Sequence, residues 1–266
     1  MKRRDFLGQA ALAVLGATTG SSLWAQAGRA CLATGGDGPY GALQSADENG
    51  IRVPEGFSAR IVARGGEVVG STGHTWHLAA DGGATFRVPG GYVYVSNSEL
   101  GSGTGGVGAI RFDHRGRIQD AYSICSGTSR NCAGGPTPWG TWLTCEETSR
   151  GIVYECDPMG ETLPVPLPAM GSYQHEAVAV DPERRRLYLT EDKRIGNLYR
   201  FTPTTWGDLS QGLLEVAVGN RTEVNWAEVP NPNPASNETS TRLQVEGALT
   251  FDGGEGIVWQ SGAVHF

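Results

Sequence analysis

The sequence is poor in basic side chains and in charge altogether. Lys and Arg number 21 against 28 Asp and Glu, the formal net charge is −7, and charged residues make up only 18% of the chain. An acidic surface repels phosphate backbones, so we expect no nucleic-acid partner. It also repels a phosphorylated small molecule, unless bound metal reverses the sign of the charge locally.

Long apolar segments are also lacking after the N-terminus, so we expect no stable membrane anchor. Residues 2–7 read KRRDFL, an apolar stretch follows, and residues 25–27 read AQA. This order is typical of a twin-arginine export signal with a small-x-small cleavage site, and an ordinary secretory signal is the alternative. We predict a signal peptide at 1–27, the export machinery as a partner, and a periplasmic or secreted protein.

Cysteines are few, at Cys31, Cys125, Cys132, Cys145 and Cys156. An oxidising compartment permits a disulfide. Cys145 and Cys156 lie on the two arms of one predicted hairpin, which leaves open either a cross-strand disulfide or free thiols. Cys132 precedes a Gly-rich polar loop, where a thiol is a better ligand candidate than a packing residue.

Glycine, in contrast, is abundant at 40 residues, which indicates many short strands and tight turns. Three segments share one layout of an apolar strand, a hydroxyl residue, carboxylates or Asn, and a return strand led by Gly. Their anchors Tyr94, Trp142 and Tyr188 are 48 and 46 residues apart. Periods of roughly 40–50 residues with several strands each are typical of a β-propeller. We therefore predict an all-β fold with about four partial blades of a probable six.

The order of these segments defines three regions. They are the signal peptide 1–27, a linker or arm 28–50, and an incomplete propeller domain 51–266. The hairpins near 85–95, 176–189 and 256–266 are predicted to be the same half of successive blades. Residues 204–244 break the repeat, and we interpret them as an insertion of loop and strand between blades. The chain stops at Phe266 within a strand, which we interpret as a fragment of a longer protein.

Carboxylates at one position in successive blades converge on one mouth of a propeller. The residues predicted to face this space are Asn97, Glu99, Glu146, Glu176, Glu191 and Glu255. Crowded carboxylates raise one another's pKa unless cations neutralise them. Calcium takes oxygen ligands, and a thiolate with carboxylates suits iron. For each residue alone, a solvated loop position is the alternative. Arg200 alternates with apolar neighbours and faces either solvent or a carboxylate of the mouth.

Several of these segments resemble a known family. They read VSNSE at 95–99, NCAGGPTPWGTWLTCEE at 131–147, HEAVAVDP at 175–182, LYLTED at 187–192, LYRF at 198–201 and GEGI at 254–257. They are similar to the PhoX-type alkaline phosphatases, from about residue 50 to the end. The resemblance implies a propeller phosphatase of broad phosphomonoester specificity that uses iron and calcium in the channel mouth.

The resemblance also implies roles for individual residues. Cys132, Glu191 and Glu255 correspond to iron ligands, and with Arg200 they are the candidate catalytic residues. Glu146, Glu147 and Glu176 correspond to ligands on the calcium side, and Asn97 and Glu99 are further metal-ligand candidates. The family often has Arg before its Gly-Glu-Gly motif, where this chain has Gly253. It also draws further acidic ligands from blades that would follow Phe266.

We therefore predict a monomeric, metal-dependent hydrolase of small phosphomonoesters, and leave open whether this length of chain is active. One alternative is a non-catalytic propeller, stabilised by calcium, that binds a ligand or partner. Another is a calcium-dependent hydrolase similar to lactonases. Iron together with calcium would favour the phosphatase, whereas calcium alone would favour the other two.

Overall fold

The computed structural model describes residues 39–220 and 222–266. The predicted signal peptide and the first part of the 28–50 arm therefore lie outside the described residues. The described residues fall into two units, one that ends at Ile61 and one that spans Val62–Phe266. In the first unit, Leu43 forms an isolated bridge with Pro54, and the rings of Tyr40 and Phe57 pack edge to face. The domain limits drawn from the sequence remain predictions.

The second unit is a series of antiparallel sheets that follow the chain in order. The first sheet contains β1 (Ala80–Val88), β2 (Gly91–Ser98), β3 (Gly105–Asp113) and β4 (Ile118–Thr128). In β2, Val93 and Val95 are fully buried, while Tyr92 and Tyr94 point to the other face. This alternation is the period of two expected for a strand with one buried face.

The second sheet contains β5 (Asn131–Pro136), β6 (Trp142–Glu146), β7 (Val153–Cys156) and β8 (Val165–Pro166). The third contains β9 (His175–Asp181), β10 (Arg186–Glu191), β11 (Leu198–Thr205), β12 (Asp208–Gly219) and β13 (Val224–Glu228). The fourth contains β14 (Val258–Gln260) and β15 (Ala263–His265), and short 3-10 helices occupy Pro168–Met170 and Thr241–Leu243. The all-β prediction is confirmed, with β1–β2, β9–β10 and β14–β15 as the three predicted hairpins. Their placement in successive blades is wrong, because the sheet of β5–β8 lies between the first hairpin and the second. Within the described part of the chain, no helix has the length and hydropathy needed to span a membrane.

The first strands of successive sheets lie side by side, as in a propeller. β1 contacts β5, and β5 contacts β9. These contacts are made by backbone: a Cβ on Gly82 would lie 2.8 Å from Ala133 Cα, and a Cβ on Gly135 would lie 1.9 Å from the carbonyl oxygen of Val178. Glycine is therefore required at both positions. The described strands form separate sheets, none of which closes on itself.

The predicted insertion at 204–244 takes a different form in the structure. β12 pairs with β11, and β13 pairs with β12, so residues 208–228 extend the third sheet to five strands. Leu209, Leu214 and Val216 of β12 are buried in its core. The sequence repeat is not visible here, because the outer strands β12 and β13 lack the motif of a hydroxyl residue followed by carboxylates. The pairing of strands nevertheless continues through them.

Two apolar clusters fill the spaces between the sheets. The first and second sheets share a cluster that includes Val95, Trp142 and Cys156, and the second and third share one that includes Cys145 and Phe201. Cys145 is paired with Val153 across the hairpin, whereas Cys156 is paired with Trp142. The two thiols therefore do not face each other, and both are free.

Candidate metal centre

A carboxylate follows the second strand of each of the first three sheets. These following carboxylates are Glu99, Glu147 and Asp192. Their backbone N–H groups donate to the carbonyls of Ala79, Arg130 and Gln174 at 2.8, 2.8 and 3.1 Å. Each acceptor precedes the first strand of the same sheet, so the three sheets hold their carboxylates by the same backbone contact. Ala79 and Arg130 also share a left-handed backbone, with φ of 49° and 50°.

Two further donors come from the first strands of the second and third sheets. Cys132 and Glu176 are the second residues of β5 and β9, and the Cys132 thiol donates to Glu176 Oε1 at 3.5 Å. Together with the following carboxylates they form two triads, Glu99–Cys132–Glu147 and Glu147–Glu176–Asp192. Within each triad the potential ligand atoms lie within 4.8 Å of one another, and Glu147 belongs to both. We call these five residues the ligand cluster.

The protein offsets the charges of the ligand cluster only in part. Burial, followed by the charges of Glu255, Glu147 and Asp192, raises the pKa of Glu176 to about 7, against a lowering effect of its hydrogen bond with Cys132. Burial and the neighbouring carboxylates also raise the pKa of Glu147 and of the Cys132 thiol. Burial is the main cause at each group, and the neighbouring carboxylates add repulsion that a cation would remove.

The donors themselves suit metal ions. Four carboxylates provide the oxygen ligands that hard cations such as calcium prefer, and one thiol provides a soft ligand for a transition metal. Gln174 Nε2 donates to Glu147 Oε1 at 2.8 Å, and the charge of Arg130 lowers the pKa of Glu147. Gln174 thus holds the shared carboxylate in place, and Arg130 offsets part of the acidic charge around it.

The residues that end the second strands have another role. We call Ser98, Glu146 and Glu191 the strand-end residues. Glu146 accepts hydrogen bonds from the N–H groups of Ser129 at 2.8 Å and Ile152 at 3.3 Å. Its carboxylate therefore fixes the start of the third strand of its sheet, and it lies outside both triads.

Glu191 is the corresponding residue one sheet later. Its Oε2 accepts from the N–H of Asn197 at 2.9 Å, and its Oε1 accepts from Arg242 Nε at 2.7 Å. The Glu191 side chain is fully buried, and Arg242 is only 16% exposed. Burial raises the pKa of Glu191, whereas Asn197 and Arg242 oppose the rise. The predicted iron ligand is therefore held by an ion pair in this structure.

The remaining predicted residues take different places. Asn97 Oδ1 accepts from Trp142 and Thr144, both at 2.9 Å, and its Nδ2 donates to the carbonyls of Cys132 and Ala133 at 3.0 and 2.8 Å. Asn97 thus has its hydrogen-bonding capacity filled, and it positions the strand that carries Cys132.

Glu255 and Arg200 lie outside the triads. Glu255 is exposed and close enough to raise the pKa of Glu176, and its carbonyl accepts from Thr190 Oγ1 at 2.7 Å. Arg200 makes two hydrogen bonds of 2.8 Å to Glu215, and its guanidinium lies 4.5 Å from the centre of the Trp226 ring. The outer strands thus hold Arg200 in a paired position.

The structure therefore brings four predicted residues together, namely Glu99, Cys132, Glu147 and Glu176. It adds Asp192, which the sequence reasoning did not select. The signal was present in the sequence, because aligning the three repeats on the second residue of each pair gives Glu99, Glu147 and Asp192. Their spacings of 48 and 45 residues match the repeat.

Comparison with known proteins identifies a sequence family and a structural relative. The family described as "Alkaline phosphatase PhoX" matches residues 106–154 and 149–266. No curated protein sequence matches the chain. The structure of Pseudomonas fluorescens PhoX in complex with vanadate, a transition state analogue, aligns with a TM-score of 0.55 at 19% identity. The alignment covers 68% of this chain and 56% of that protein, so the chain spans little more than half the length of this relative.

Proposed function

The chain belongs to the PhoX family of alkaline phosphatases, and we propose that it is a metal-dependent hydrolase of phosphomonoesters. The observation that carries this proposal is the ligand cluster, in which donors from three sheets meet. When bound, cations at this position would offset the charge of a phosphate ester and polarise it for hydrolysis.

We propose calcium and iron as the metals, because the two triads differ in their donors. Cys132 belongs to the triad with Glu99 and Glu147, whereas the triad of Glu147, Glu176 and Asp192 contains only carboxylates. A thiolate favours iron, and an all-oxygen set favours calcium. Glu147 is common to both triads, so it would couple the occupancy of the two sites.

The residues of the chain also control protons in the centre. The Cys132 thiol donates to Glu176 Oε1, and burial raises the pKa of both groups. A thiol must lose its proton before it binds a metal. We infer that Glu176 accepts or relays this proton, so that metal uptake strengthens as the pH rises through about 7, the pKa of Glu176.

The cellular context is part of the same proposal. The basic N-terminal segment supports export by the twin-arginine route, which would place the protein in the periplasm or outside the cell. There we propose that it acts as a monomer on small phosphorylated substrates. The N-terminal segment lies outside the described residues, so this part rests on the sequence alone.

The test is to purify the protein, measure its metals and assay hydrolysis of a chromogenic phosphate ester before and after chelation. We expect iron with calcium, and activity that chelation removes. Cys132→Ala should lose iron, whereas Glu161→Gln, which changes an exposed carboxylate outside the cluster, should keep both metals. Full iron occupancy in Cys132→Ala would contradict the ligand assignment. Calcium alone, with no hydrolysis, would favour a non-catalytic propeller.

A further inference from the structure

A pair of cysteines outside the ligand cluster lies between the first two sheets. Cys125 is on β4 and Cys156 ends β7, and the two side chains are 4% and 0% exposed. Both belong to the apolar cluster that the first and second sheets share. The two thiols are close enough within this cluster for each to shift the pKa of the other.

The surrounding residues hold the two strands together at this point. Tyr122 of β4 donates its hydroxyl to the carbonyl of Pro158 at 3.0 Å. Gly160, in the turn that follows, packs against the same ring, since a Cβ on it would lie 3.3 Å from Tyr122. Contacts two to four residues from each cysteine therefore fix β4 against the end of β7.

Unlike the fully buried Cys156, Cys125 borders two cavities. It lines a cavity of about 150 Å³ beside His77 and Thr104, and another of about 430 Å³ beside Leu163. The hydrogen bond from Cys156 lowers the pKa of Cys125, whereas the same contact and burial raise the pKa of Cys156. The thiolate is the attacking form of cysteine, so Cys125 is suited to attack first.

We propose that Cys125 and Cys156 are a disulfide-forming pair that links the first sheet to the second. The oxidant is a disulfide, either glutathione disulfide or an oxidised dithiol oxidoreductase. The Cys125 thiolate attacks it to form a mixed disulfide and releases one thiolate. Cys156 then loses its proton, attacks the Cys125 sulfur and releases the second thiol. Two cysteines lose two electrons and two protons, and one disulfide becomes two thiols.

Cys145 provides a matched control within the same fold. It is fully buried, like Cys156, but lies in the cluster between the second and third sheets, in which no other cysteine takes part. Oxidation should leave Cys145 reduced. A bond between Cys125 and Cys156 closes a loop of 31 residues across two sheets, and loops of this size gain stability from the reduced freedom of the unfolded chain.

The test is a peptide map of the full chain after treatment with a glutathione redox buffer. Cleavage after arginine separates the cysteines, because Cys125 falls in 118–130, Cys132 and Cys145 in 131–150, and Cys156 in 151–184. We expect 118–130 joined to 151–184, with 131–150 unlinked. Reduction should then lower the melting temperature by roughly 5–10 °C.

Variants separate this bond from general effects of thiols. Cys125→Ala and Cys156→Ala should abolish the cross-link and the response to reductant, whereas Cys145→Ala should keep both. The map of the unmodified chain decides the matter even if a variant fails to fold. Peptides 118–130 and 151–184 recovered unlinked after oxidation, linked to 131–150, or carrying stable glutathione would each overturn the proposal.

Discussion

Glu146 and Glu147 are neighbours in the chain, yet the protein uses them in opposite ways. The Glu146 carboxylate accepts two backbone N–H groups and fixes the start of β7. The Glu147 carboxylate accepts one hydrogen bond from Gln174, and burial with the charges of Asp192 and Glu99 raises its pKa against the charge of Arg130. Hydrogen-bond partners, and not acidity, therefore separate a structural carboxylate from a candidate ligand.

The next sheet repeats this division. Glu191 accepts from Asn197 and Arg242, while Asp192 joins a triad with Glu147 and Glu176. The strand-end residues thus stabilise the strands, and the following carboxylates face the centre. This comparison can be tested by changing one member of each pair at a time.

The largest effect is expected from Glu147→Gln. Glu147 belongs to both triads, so its loss should empty both proposed metal positions and reduce phosphatase activity by about 10³-fold or more. Glu146→Gln should instead lower the stability while the metal content remains. Metal analysis and steady-state hydrolysis measure the first effect, and urea unfolding measures the second. Retained metal in Glu147→Gln would remove the distinction between the two residues.

The second test concerns Glu191 and its partner. Arg242→Met should leave a fully buried carboxylate without its counter-charge, and should lower the free energy of unfolding by about 3 kcal/mol. Adding Glu191→Gln should restore much of this loss. Arg117→Met, which removes an exposed guanidinium from its pair with Asp113, is the control and should change little. If Glu191→Gln alone removed iron, Glu191 would be a ligand, as the family resemblance implies.

The third test uses pH on metal-free protein. The pKa of Glu176 is raised to about 7 from 4.5. Its contribution to stability is therefore fully present below about 4.5 and is lost as the pH rises to about 7. We expect metal-free protein to lose on the order of 2 kcal/mol across this window, after allowance for solvent screening. Glu176→Gln should flatten this slope, and Glu161→Gln should not. An unchanged slope in Glu176→Gln would show that repulsion at this carboxylate is not its cause.

The smallest effect, and one of opposite sign, is expected at a turn. Asp113 accepts hydrogen bonds from the backbone N–H groups of Arg117 and Arg115 and from the Arg117 side chain. Together these bonds lower the pKa of Asp113 to about 2. Its contribution is present above about 3.8 and is lost as the pH falls through about 2. Asp113→Asn should therefore reduce the fall of the melting temperature at acid pH, with little change of its value near neutral pH. A large change at neutral pH would contradict this.

The repeat in the sequence predicted the sheets because it depends on local patterns. Alternating apolar residues and turn glycines specify each hairpin, and the interval between repeats specifies their succession. The outer strands were less predictable. β12 reads as a strand alone, but its pairing with β11 depends on tertiary packing of Leu209 and Leu214.

The centre was predictable in kind and less so in detail. The sequence indicates that acids from several repeats meet, and Cys132, Glu147 and Glu176 do meet. It does not indicate that Arg242, 51 residues after Glu191, pairs with that carboxylate. It also does not show that the Glu146 carboxylate accepts hydrogen bonds from backbone N–H groups. Such assignments depend on partners distant in the chain, which periodicity does not report.

The glycine contacts between the inner strands limit how this centre can be retuned. β5 and β9 meet backbone to backbone at Gly135 and Val178, so side-chain size cannot set the gap between the sheets that carry Cys132 and Glu176. Widening the gap to admit a larger ion would require the sheets themselves to separate. Substitutions that change the donor atoms could therefore alter which ion the centre prefers, whereas substitutions that change side-chain size would alter the space between the donors very little.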